Sequence, residues 1–284
     1  MNLLCCINDG YVYQFVNLIL SIREYNQDKI KMFILSTGLS EKMQELISKK
    51  CKEANIEPNI KIVSFDKDYY VGTQHFSVDM YLRIYAFYYL ENIDKLLYLD
   101  VDAISLGDIA QTYNTDLGDK LLGVVRDGKY DQPFVCKHMQ KLGVEHDMFN
   151  SGMILFNLSQ IRKVWTLETI EKVIMDNQEK LVYPDQDILN LLCQEKDIYW
   201  LGREANYQIK NNEKVDKDAK IIYMHYVGHL KPWNHYHLAK HEKLFWDAFQ
   251  KTNLNNFYKI ARTQRRQKIV SRIKSKVKKL FCKK

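Results

Sequence analysis

The sequence lacks two segments that would tie it to a membrane or an export route. It has no apolar run of about eighteen residues, the length a membrane-spanning helix needs. The residues after Met1 also lack the basic stretch and apolar stretch of a secretory signal. We therefore expect neither a transmembrane helix nor a signal peptide.

Paired cysteines at metal-binding spacing are also absent. The six cysteines include no Cys-x-x-Cys pair, and most lie within apolar segments. Such cysteines are typical of small buried side chains in a reducing compartment. We predict free thiols, no zinc site and a cytoplasmic location.

Glycine-rich phosphate-binding loops are missing as well. Neither Gly-x-Gly-x-x-Gly nor a Walker-type loop occurs in the chain. Dinucleotide binding and P-loop nucleotide binding are therefore not expected.

Acidic residues are absent from the last 27 positions, residues 258–284, which carry twelve Lys or Arg. All 35 acidic residues of the chain lie before this tail, so the net charge of +7 comes from the tail. Ile269, Ile273 and Val277 recur at helical spacing among the basic residues, a pattern that predicts a basic amphipathic helix on an anionic membrane. A disordered solubilising tail and a nucleic-acid-binding tail are the alternatives. The aromatic residues Phe245, Trp246 and Phe249 either extend this face or pack on the body.

The body, residues 1–257, shows strands alternating with helices. This alternation over the first hundred residues predicts parallel βαβ units and one α/β domain with a central sheet flanked by helices. The predicted elements are a strand at 2–7, a helix at 12–25, a strand at 31–35, a helix at 41–54 capped by Ser40, and a strand at 59–65 after Pro58.

Two carboxylates follow the apolar run 95–99, with one residue between them. This run is typical of a buried strand, which would deliver Asp100 and Asp102 to the carboxyl edge of the sheet, where open α/β sheets bind ligands. Such a pair suits Mg²⁺ or Mn²⁺ held against substrate phosphates. The alternative is a simple turn that caps a helix.

Arg83 lies close to the apolar face of a helix predicted from Ser77 through Leu90. A charged residue at such a position needs a partner. Arg83 is therefore either a member of a structural ion pair or a clamp for phosphate or carboxylate.

Six motifs together resemble family 8 glycosyltransferases, most closely the bacterial branch that adds α-linked galactose or glucose to surface glycans. The resemblance covers residues 1–233 and implies a GT-A type fold and a UDP-hexose donor. The motifs are Asn8-Asp9-Gly10-Tyr11, Ser77-Val78-Asp79-Met80-Tyr81-Leu82-Arg83, Tyr98-Leu99-Asp100-Val101-Asp102, Asn150-Ser151-Gly152-Met153, Asp185-Gln186-Asp187-Ile188-Leu189-Asn190 and His225-Tyr226-Val227-Gly228-His229-Leu230-Lys231-Pro232-Trp233.

The resemblance implies that Asp100, Asp102 and His225 hold Mn²⁺, with Mg²⁺ as the alternative ion, against the diphosphate of the donor. Imidazole is an acceptable ligand for Mn²⁺. The resemblance also places Gly228 and Lys231 in a lid segment, where the lysine supplies positive charge to the same diphosphate.

On the nucleotide side, the resemblance implies that Tyr11 stacks on uracil and that Asn8 and Asp9 surround the uridine. Many relatives carry Asp where Asn8 stands and Asn where Gly10 stands. The residues that contact the base and the ribose therefore depart from the family pattern here. Four further positions match donor contacts: Cys6, His75, Phe76 and Val101.

On the sugar side, the resemblance implies that Asn150, Asp185 and Gln186 surround the anomeric carbon, with Arg83 and Asp127 completing the hydroxyl contacts. The family retains the anomeric configuration. Gln186 would face the reactive carbon, and Asp187 is a nearby alternative. We expect same-face departure and attack, with a UDP phosphate oxygen accepting the acceptor proton.

The expected acceptor is a glycan or lipid-linked saccharide of bacterial surface polysaccharide, lipooligosaccharide or glycoprotein assembly. The segment 132–147 shows little periodicity and is interpreted as a loop that could line the acceptor. Two other functions compete with this one. They are nucleic-acid or membrane binding through the tail and synthesis of sugar nucleotides by a nucleotidyltransferase, which the missing glycine-rich loop disfavours.

Overall fold

The computed structural model describes residues 1–64, 78–210, 214–216, 218–228, 231–233 and 240–254. The described strands are β1 Asn2–Cys6, β2 Ile30–Ser36, β3 Ile56–Ile62, β4 Lys95–Leu99, β5 Ala103–Ser105, β6 Leu122–Arg126, β7 Phe149–Asn157, β8 Ile198–Trp200, β9 Tyr207–Ile209 and β10 Tyr223–Tyr226.

Helices lie between most of these strands. The α-helices are α1 Val12–Tyr25, α2 Glu41–Glu53, α3 Ala86–Tyr89, α4 Ala110–Tyr113, α5 Pro133–Leu142, α6 Leu158–Val164, α7 Leu167–Asn177, α8 Pro184–Leu191 and α9 Lys240–Gln250. Short 3-10 helices cover Asp9–Tyr11, Val78–Arg83, Gln178–Lys180, Glu195–Asp197 and Arg203–Asn206.

Seven of the described strands form the central sheet, in the order β3-β2-β1-β4-β7-β6-β8. The pairs β3/β2, β2/β1, β1/β4 and β6/β8 are parallel, whereas β7 runs antiparallel to both β4 and β6. This confirms the predicted α/β fold with a mixed, mostly parallel sheet. A second sheet of three strands has the order β5-β10-β9.

Strand β4 is buried on both of its faces. Leu97 and Leu99 belong to the hydrophobic cluster under α1 and α2, and Leu96 and Tyr98 belong to a second cluster on the other face. A strand covered on both faces reads as a continuous apolar run, which is why the sequence shows no alternation here. This burial holds the strand end, and the carboxylates that follow it, in a fixed place.

Two of the predicted elements differ from the structure. The third strand is Ile56–Ile62, so Pro58 lies inside it, which an edge strand tolerates because it has one unpaired side. The predicted helix 77–90 is a 3-10 turn, Val78–Arg83, followed by α3; Ser77 lies outside the described residues. The amide of Ile84 bonds to the carbonyl of Tyr81, three residues back, as 3-10 geometry requires.

The prediction of a loop at 132–147 was wrong, because most of it is the helix α5. The helix begins with Pro133 at its first position and ends at Gly143, whose φ of +79° is the left-handed value that favours glycine. Its buried residues Val135, Met139 and Leu142 recur at helical spacing, a short pattern that lysines and a histidine interrupt.

Helix α9 packs against the second sheet. Phe245 and Phe249 are almost fully buried in a cluster with Met224 and Tyr226 of β10. These aromatic residues therefore pack on the body. Among the described helices, none is both long and apolar enough to cross a bilayer, and the five described cysteines are free. The basic tail, residues 258–284, lies outside the described residues.

Replacing Leu97 by alanine should lower the free energy of unfolding by about 2–5 kcal/mol, because it leaves a cavity in the central strand. Replacing Leu244, a leucine of α9 that is 37% exposed, should lower it by less than about 1 kcal/mol. Urea unfolding measures both. Equal losses in the two variants would contradict the central position of β4.

Candidate active site

Asp100 directly follows β4 and is fixed by neighbours on several sides. The hydroxyl of Tyr98 donates to Asp100 Oδ1, and the hydroxyl of Tyr223 donates to the backbone oxygen of Asp100. The backbone amide of Asp100 donates to the carbonyl of Gly152 on β7, at 2.8 Å. With Oδ1 occupied, Oδ2 is the oxygen that faces His225.

Asp102 and His225 meet because β5 pairs with β10. In that antiparallel register His225 lies opposite Ala103, the residue after Asp102. The amide of Tyr226 donates to the carbonyl of Asp102 at 2.9 Å, which locks the two segments together. The strand that carries the histidine is thus positioned by the segment that carries the aspartates.

Three side chains converge at this point. Nε2 of His225 lies 3.1 Å from Asp102 Oδ1 and 3.7 Å from Asp100 Oδ2. One ligand atom from each of the three residues lies within 4.8 Å of the other two. The imidazole side chain is only 5% exposed, and the two carboxylates are 22% and 17% exposed. The predicted metal ligands are therefore together, in a largely buried site.

The donor set fits a divalent cation. Asp102 Oδ1 is buried and accepts no hydrogen bond from the described residues, although His225 Nε2 lies close to it. Carboxylate oxygens with one imidazole nitrogen are a ligand set that Mn²⁺ accepts, whereas Mg²⁺ prefers oxygen alone. A cation between these atoms would satisfy the carboxylate oxygen that has no donor.

Gly152 leaves the space that the histidine ring occupies. A Cβ built on Gly152 would lie 2.1 Å from Cε1 and 2.4 Å from Nδ1 of His225. No side chain fits at this distance, so only glycine allows the imidazole to approach β7. The β6/β7 register shifts between Val124 and Val125, opposite this segment, and such irregularities often re-aim residues beside active sites.

Arg83 joins Asp100, a predicted metal ligand, to Asp185, a predicted sugar contact. Its guanidinium contacts Asp100 Oδ1 at 2.9 Å and Asp185 Oδ2 at 3.3 Å, and it stacks 4.2 Å above the ring of Tyr98. Burial alone would lower the pKa of Arg83, but Asp100, Tyr98 and Asp185 hold it well above its ordinary value. Of the two alternatives for Arg83, the described contacts show the ion pair.

Lys231 lies on the other side of the aspartates. Its ammonium group donates to Asp102 Oδ2 and, at 2.6 Å, to the carbonyl of Tyr226. Burial raises the pKa of Asp102, but Lys231 and His225 outweigh it and hold this pKa below its ordinary value. Gly228, three residues before Lys231, has a φ of +83°, which favours glycine.

The predicted sugar-contacting residues form one hydrogen-bonded group. Gln186 Oε1 accepts from Asn150 Nδ2 and from the amide of Ser151, each at 3.1 Å. The hydroxyl of Ser151 donates to Asp185 at 3.1 Å. Burial raises the pKa of the Asp185 carboxyl, and Arg83 offsets only part of that rise.

Asp187 makes a different set of contacts. Its Oδ2 accepts the amides of Val182 and Tyr183, at 2.7 and 2.9 Å, and its Oδ1 lies 3.0 Å from His138 Nε2. The side chain is fully buried, and burial raises its pKa. These contacts hold the turn that begins α8, where Asp185 and Gln186 lie.

The predicted nucleotide contacts lie at the carboxyl ends of β1 and β2. Asn8 Nδ2 donates to Asp79 Oδ2 at 3.2 Å, and Asp9 Oδ1 accepts the amide of Ser40 at 2.9 Å. Tyr11 is 39% exposed; burial of its hydroxyl raises its pKa, and the carboxylates of Asp102 and Asp100 raise it further. The negative charge of these two carboxylates thus acts on the Tyr11 hydroxyl.

The other predicted donor contacts are distributed around this group. Burial raises the pKa of the Cys6 thiol at the end of β1, and Val101 is 8% exposed between the two aspartates. Asp127 follows β6 and accepts the amide of Lys129 at 2.9 Å. His75 and Phe76 lie outside the described residues.

Three important neighbours were given no role from the sequence. Asn206, which is fully buried, contacts both His225 and Asn150, but it lies in a 3-10 turn with no recognisable pattern. The fit of Gly152 to His225 depends on contacts between distant strands. Tyr98 could have been recognised, because it lies two residues before Asp100 and so shares its face of the strand.

The fold is of the GT-A type found in solved glycosyltransferase structures. The structure superposes on a solved active-site mutant of LgtC with a TM-score of 0.78 and 21% identity, covering 88% of this chain and 96% of that one. It also superposes on the glycosyltransferase GlyE of Streptococcus pneumoniae with a TM-score of 0.68 and 18% identity, covering 92% of this chain and 64% of that one.

The chain belongs to the family described as Glycosyl transferase family 8, whose sequence model matches residues 2–237. It is 27% identical to the lipopolysaccharide 1,2-glucosyltransferase of Escherichia coli K12, over 80% of this chain and 69% of that protein. It is 24% identical to the glycosyltransferase GlyF of Streptococcus pneumoniae, over 93% of this chain and 67% of that protein. The predicted family is therefore confirmed.

Replacing Gly152 by alanine should weaken divalent-cation binding by at least about tenfold, because the new methyl group would displace the His225 ring. Titration calorimetry with Mn²⁺ in the presence of UDP measures this. The matched control is Gly38→Ala, where an added Cβ meets nothing within 4 Å. An unchanged affinity in the folded Gly152→Ala variant would contradict the role given to this glycine.

Proposed function

We propose that this enzyme transfers galactose or glucose from a UDP-linked donor to a glycan acceptor, with Mn²⁺ held by Asp100, Asp102 and His225. The observation that carries the proposal is the convergence of two carboxylate oxygens and one imidazole nitrogen at the end of the central strand. When bound there, a divalent cation neutralises the negative charge that develops on the departing UDP.

A lysine and a glycine complete the proposed diphosphate site. Lys231 already contacts Asp102, so its ammonium group lies beside the place where the phosphates would bind. A lysine can bind phosphate as a compact positive charge. We propose that the segment with Gly228 and Lys231 closes over the donor and excludes water that would hydrolyse it.

The uridine is proposed to bind at the ends of β1 and β2. Tyr11 would stack on the uracil ring, because its side chain is exposed in the 3-10 helix that follows β1. Asn8 is held by Asp79, which also accepts the amide of Thr37 at 2.7 Å. These hydrogen bonds fix the residues that we propose to contact the base and the ribose. Cys6, His75, Phe76 and Val101 are the further proposed donor contacts.

The hexose is proposed to bind between Asn150, Asp185 and Gln186, with Arg83 and Asp127 beside its hydroxyl groups. Buried amide and carboxylate groups can pair with hydroxyls that lose their water on binding. Gln186 would lie beneath the anomeric carbon. Its amide is a poor nucleophile, and the carboxylate of Asp187 is engaged with two backbone amides.

These contacts favour a same-face reaction over a covalent intermediate. The bond between C1 and the UDP oxygen breaks, and the acceptor oxygen bonds to C1 from the same face. The acceptor proton passes to a phosphate oxygen of the departing UDP. The anomeric configuration is retained.

The relatives suggest the acceptor class. Besides the glucosyltransferase, a Salmonella typhimurium lipopolysaccharide 1,3-galactosyltransferase is 27% identical over 57% of this chain and 51% of that protein. LgtC has also been solved with donor and acceptor sugar analogues. We propose that this chain likewise extends a bacterial surface saccharide.

Replacing Asp102 by asparagine should slow the Mn²⁺-dependent release of UDP from UDP-galactose or UDP-glucose by more than about 100-fold. The reason is the loss of a metal ligand and of the charge it supplies. The assay needs no acceptor and follows UDP with time. Asp176→Asn, at an exposed aspartate of α7, serves as the control and should keep the full rate. Undiminished turnover of the Asp102 variant would refute the metal assignment.

The tail is proposed to hold the enzyme at the inner face of the plasma membrane. Each basic residue near an anionic surface contributes about 1 kcal/mol to the free energy of membrane binding. The twelve basic residues of 258–284 are therefore more than sufficient to attach the chain to such a surface. An enzyme that extends a lipid-linked saccharide gains from lying beside the bilayer.

Replacing the five lysines between positions 274 and 283 by glutamine should weaken binding to phosphatidylserine vesicles by at least about tenfold. Vesicle sedimentation at low and high salt measures the binding. The control replaces five exposed lysines of the body: Lys42, Lys49, Lys52, Lys141 and Lys172. Equal binding by both variants would contradict the proposal, and tail-dependent binding to an oligonucleotide but not to vesicles would favour the nucleic-acid alternative.

A further inference from the structure

A chain of buried amide groups connects β7 to the imidazole of His225. Its members are Gln186, Asn150 and Asn206, and the hydrogen bonds between them run without a gap to the ring. An amide side chain has a donor end and an acceptor end, so the direction of each bond follows from its neighbours. Two backbone amides set that direction.

The orientation of Asn150 is fixed by groups that can only donate. The backbone amide of Gly152 donates to one end of Asn150 at 3.0 Å, so that end is the oxygen Oδ1. The backbone amide of Ser151 donates to Gln186 at 3.1 Å, so the Gln186 atom is also an oxygen. Asn150 therefore points Nδ2 at Gln186 and keeps Oδ1 for Gly152.

The orientation of Asn206 follows from that of Asn150. One end of Asn206 lies 2.9 Å from Asn150 Oδ1, and only a donor fits there, so this end is Nδ2. The other end, Oδ1, lies 3.2 Å from His225 Nδ1. An amide oxygen can only accept, so Nδ1 of the histidine carries a proton.

We propose that Asn206 is a positioning residue that keeps the proton of His225 on Nδ1 and leaves Nε2 to bind the metal ion. Nε2 is the ring atom that lies 3.1 Å from Asp102. Metal-binding histidines are commonly oriented by an acceptor on their other nitrogen. The inference rests on the proposed metal role of His225 and extends it to a residue outside the ligand set.

The tautomer can be observed without any metal. Long-range ¹H–¹⁵N correlation spectra of the metal-free full chain, labelled with ¹⁵N-histidine, distinguish the protonated nitrogen of each ring. The His225 signals are identified by their loss in His225→Gln. We expect Nδ1 of His225 to carry a proton. A bare Nδ1 with the proton on Nε2 would overturn the proposal, whatever the metal does.

Two substitutions at Asn206 separate positioning from packing. Asn206→Gln keeps an amide that can donate to Asn150 and accept from Nδ1, whereas Asn206→Leu removes both groups at similar size. We expect the leucine variant to bind Mn²⁺ with UDP about 10- to 100-fold more weakly, measured by calorimetry, and the glutamine variant to keep most of the affinity and the proton on Nδ1. If the leucine variant folds, loses stability and still binds Mn²⁺ as the parent does, Asn206 only packs.

The results also distinguish this inference from the proposed function. If His225→Gln binds Mn²⁺ as tightly as the parent, the metal assignment fails, while the tautomer of His225 stays readable. If the metal assignment holds and Nδ1 is bare, only the role of Asn206 fails.

Discussion

The site depends on bringing two carboxylate oxygens and one imidazole nitrogen together at the end of the central strand. Asp100 Oδ2, Asp102 Oδ1 and His225 Nε2 face one another within a few ångströms, and Asp102 Oδ1 is buried without a hydrogen bond from the described residues. Burying such a cluster costs free energy of folding unless a cation lies among its members. The surrounding structure holds these three side chains in their positions.

Several parts of the fold act on this cluster from different directions. The doubly covered strand β4 fixes Asp100, and the pairing of β5 with β10 brings His225 opposite the residue after Asp102. Gly152 leaves room for the ring, and Arg83 balances Asp100 and Asp185 together. Because Arg83 contacts both carboxylates, it joins the proposed metal-binding residues to the proposed sugar-binding residues.

Local patterns in the sequence were sufficient for much of the fold. The strand and helix alternation of the first hundred residues and the Asp-x-Asp at the end of β4 were predicted, because each depends on neighbours in the chain. The place of His225 came from resemblance to a family, and Asn206 was missed, since both depend on pairing between segments far apart in sequence. The helix α5 was missed because its apolar residues are few. The predicted α-helix 77–90 was wrong because its first part is a 3-10 helix, in which each backbone amide bonds to the carbonyl three residues before it.

The cation site at the end of β4 can be tested by locating a bound ion. Crystals grown with Mn²⁺ and UDP, measured at the manganese absorption edge, give an anomalous difference map that shows the ion alone. We expect one peak bonded to a carboxylate oxygen of Asp100, a carboxylate oxygen of Asp102 and Nε2 of His225. A peak bonded through Nδ1 of His225, or one that lies away from all three side chains, would contradict it.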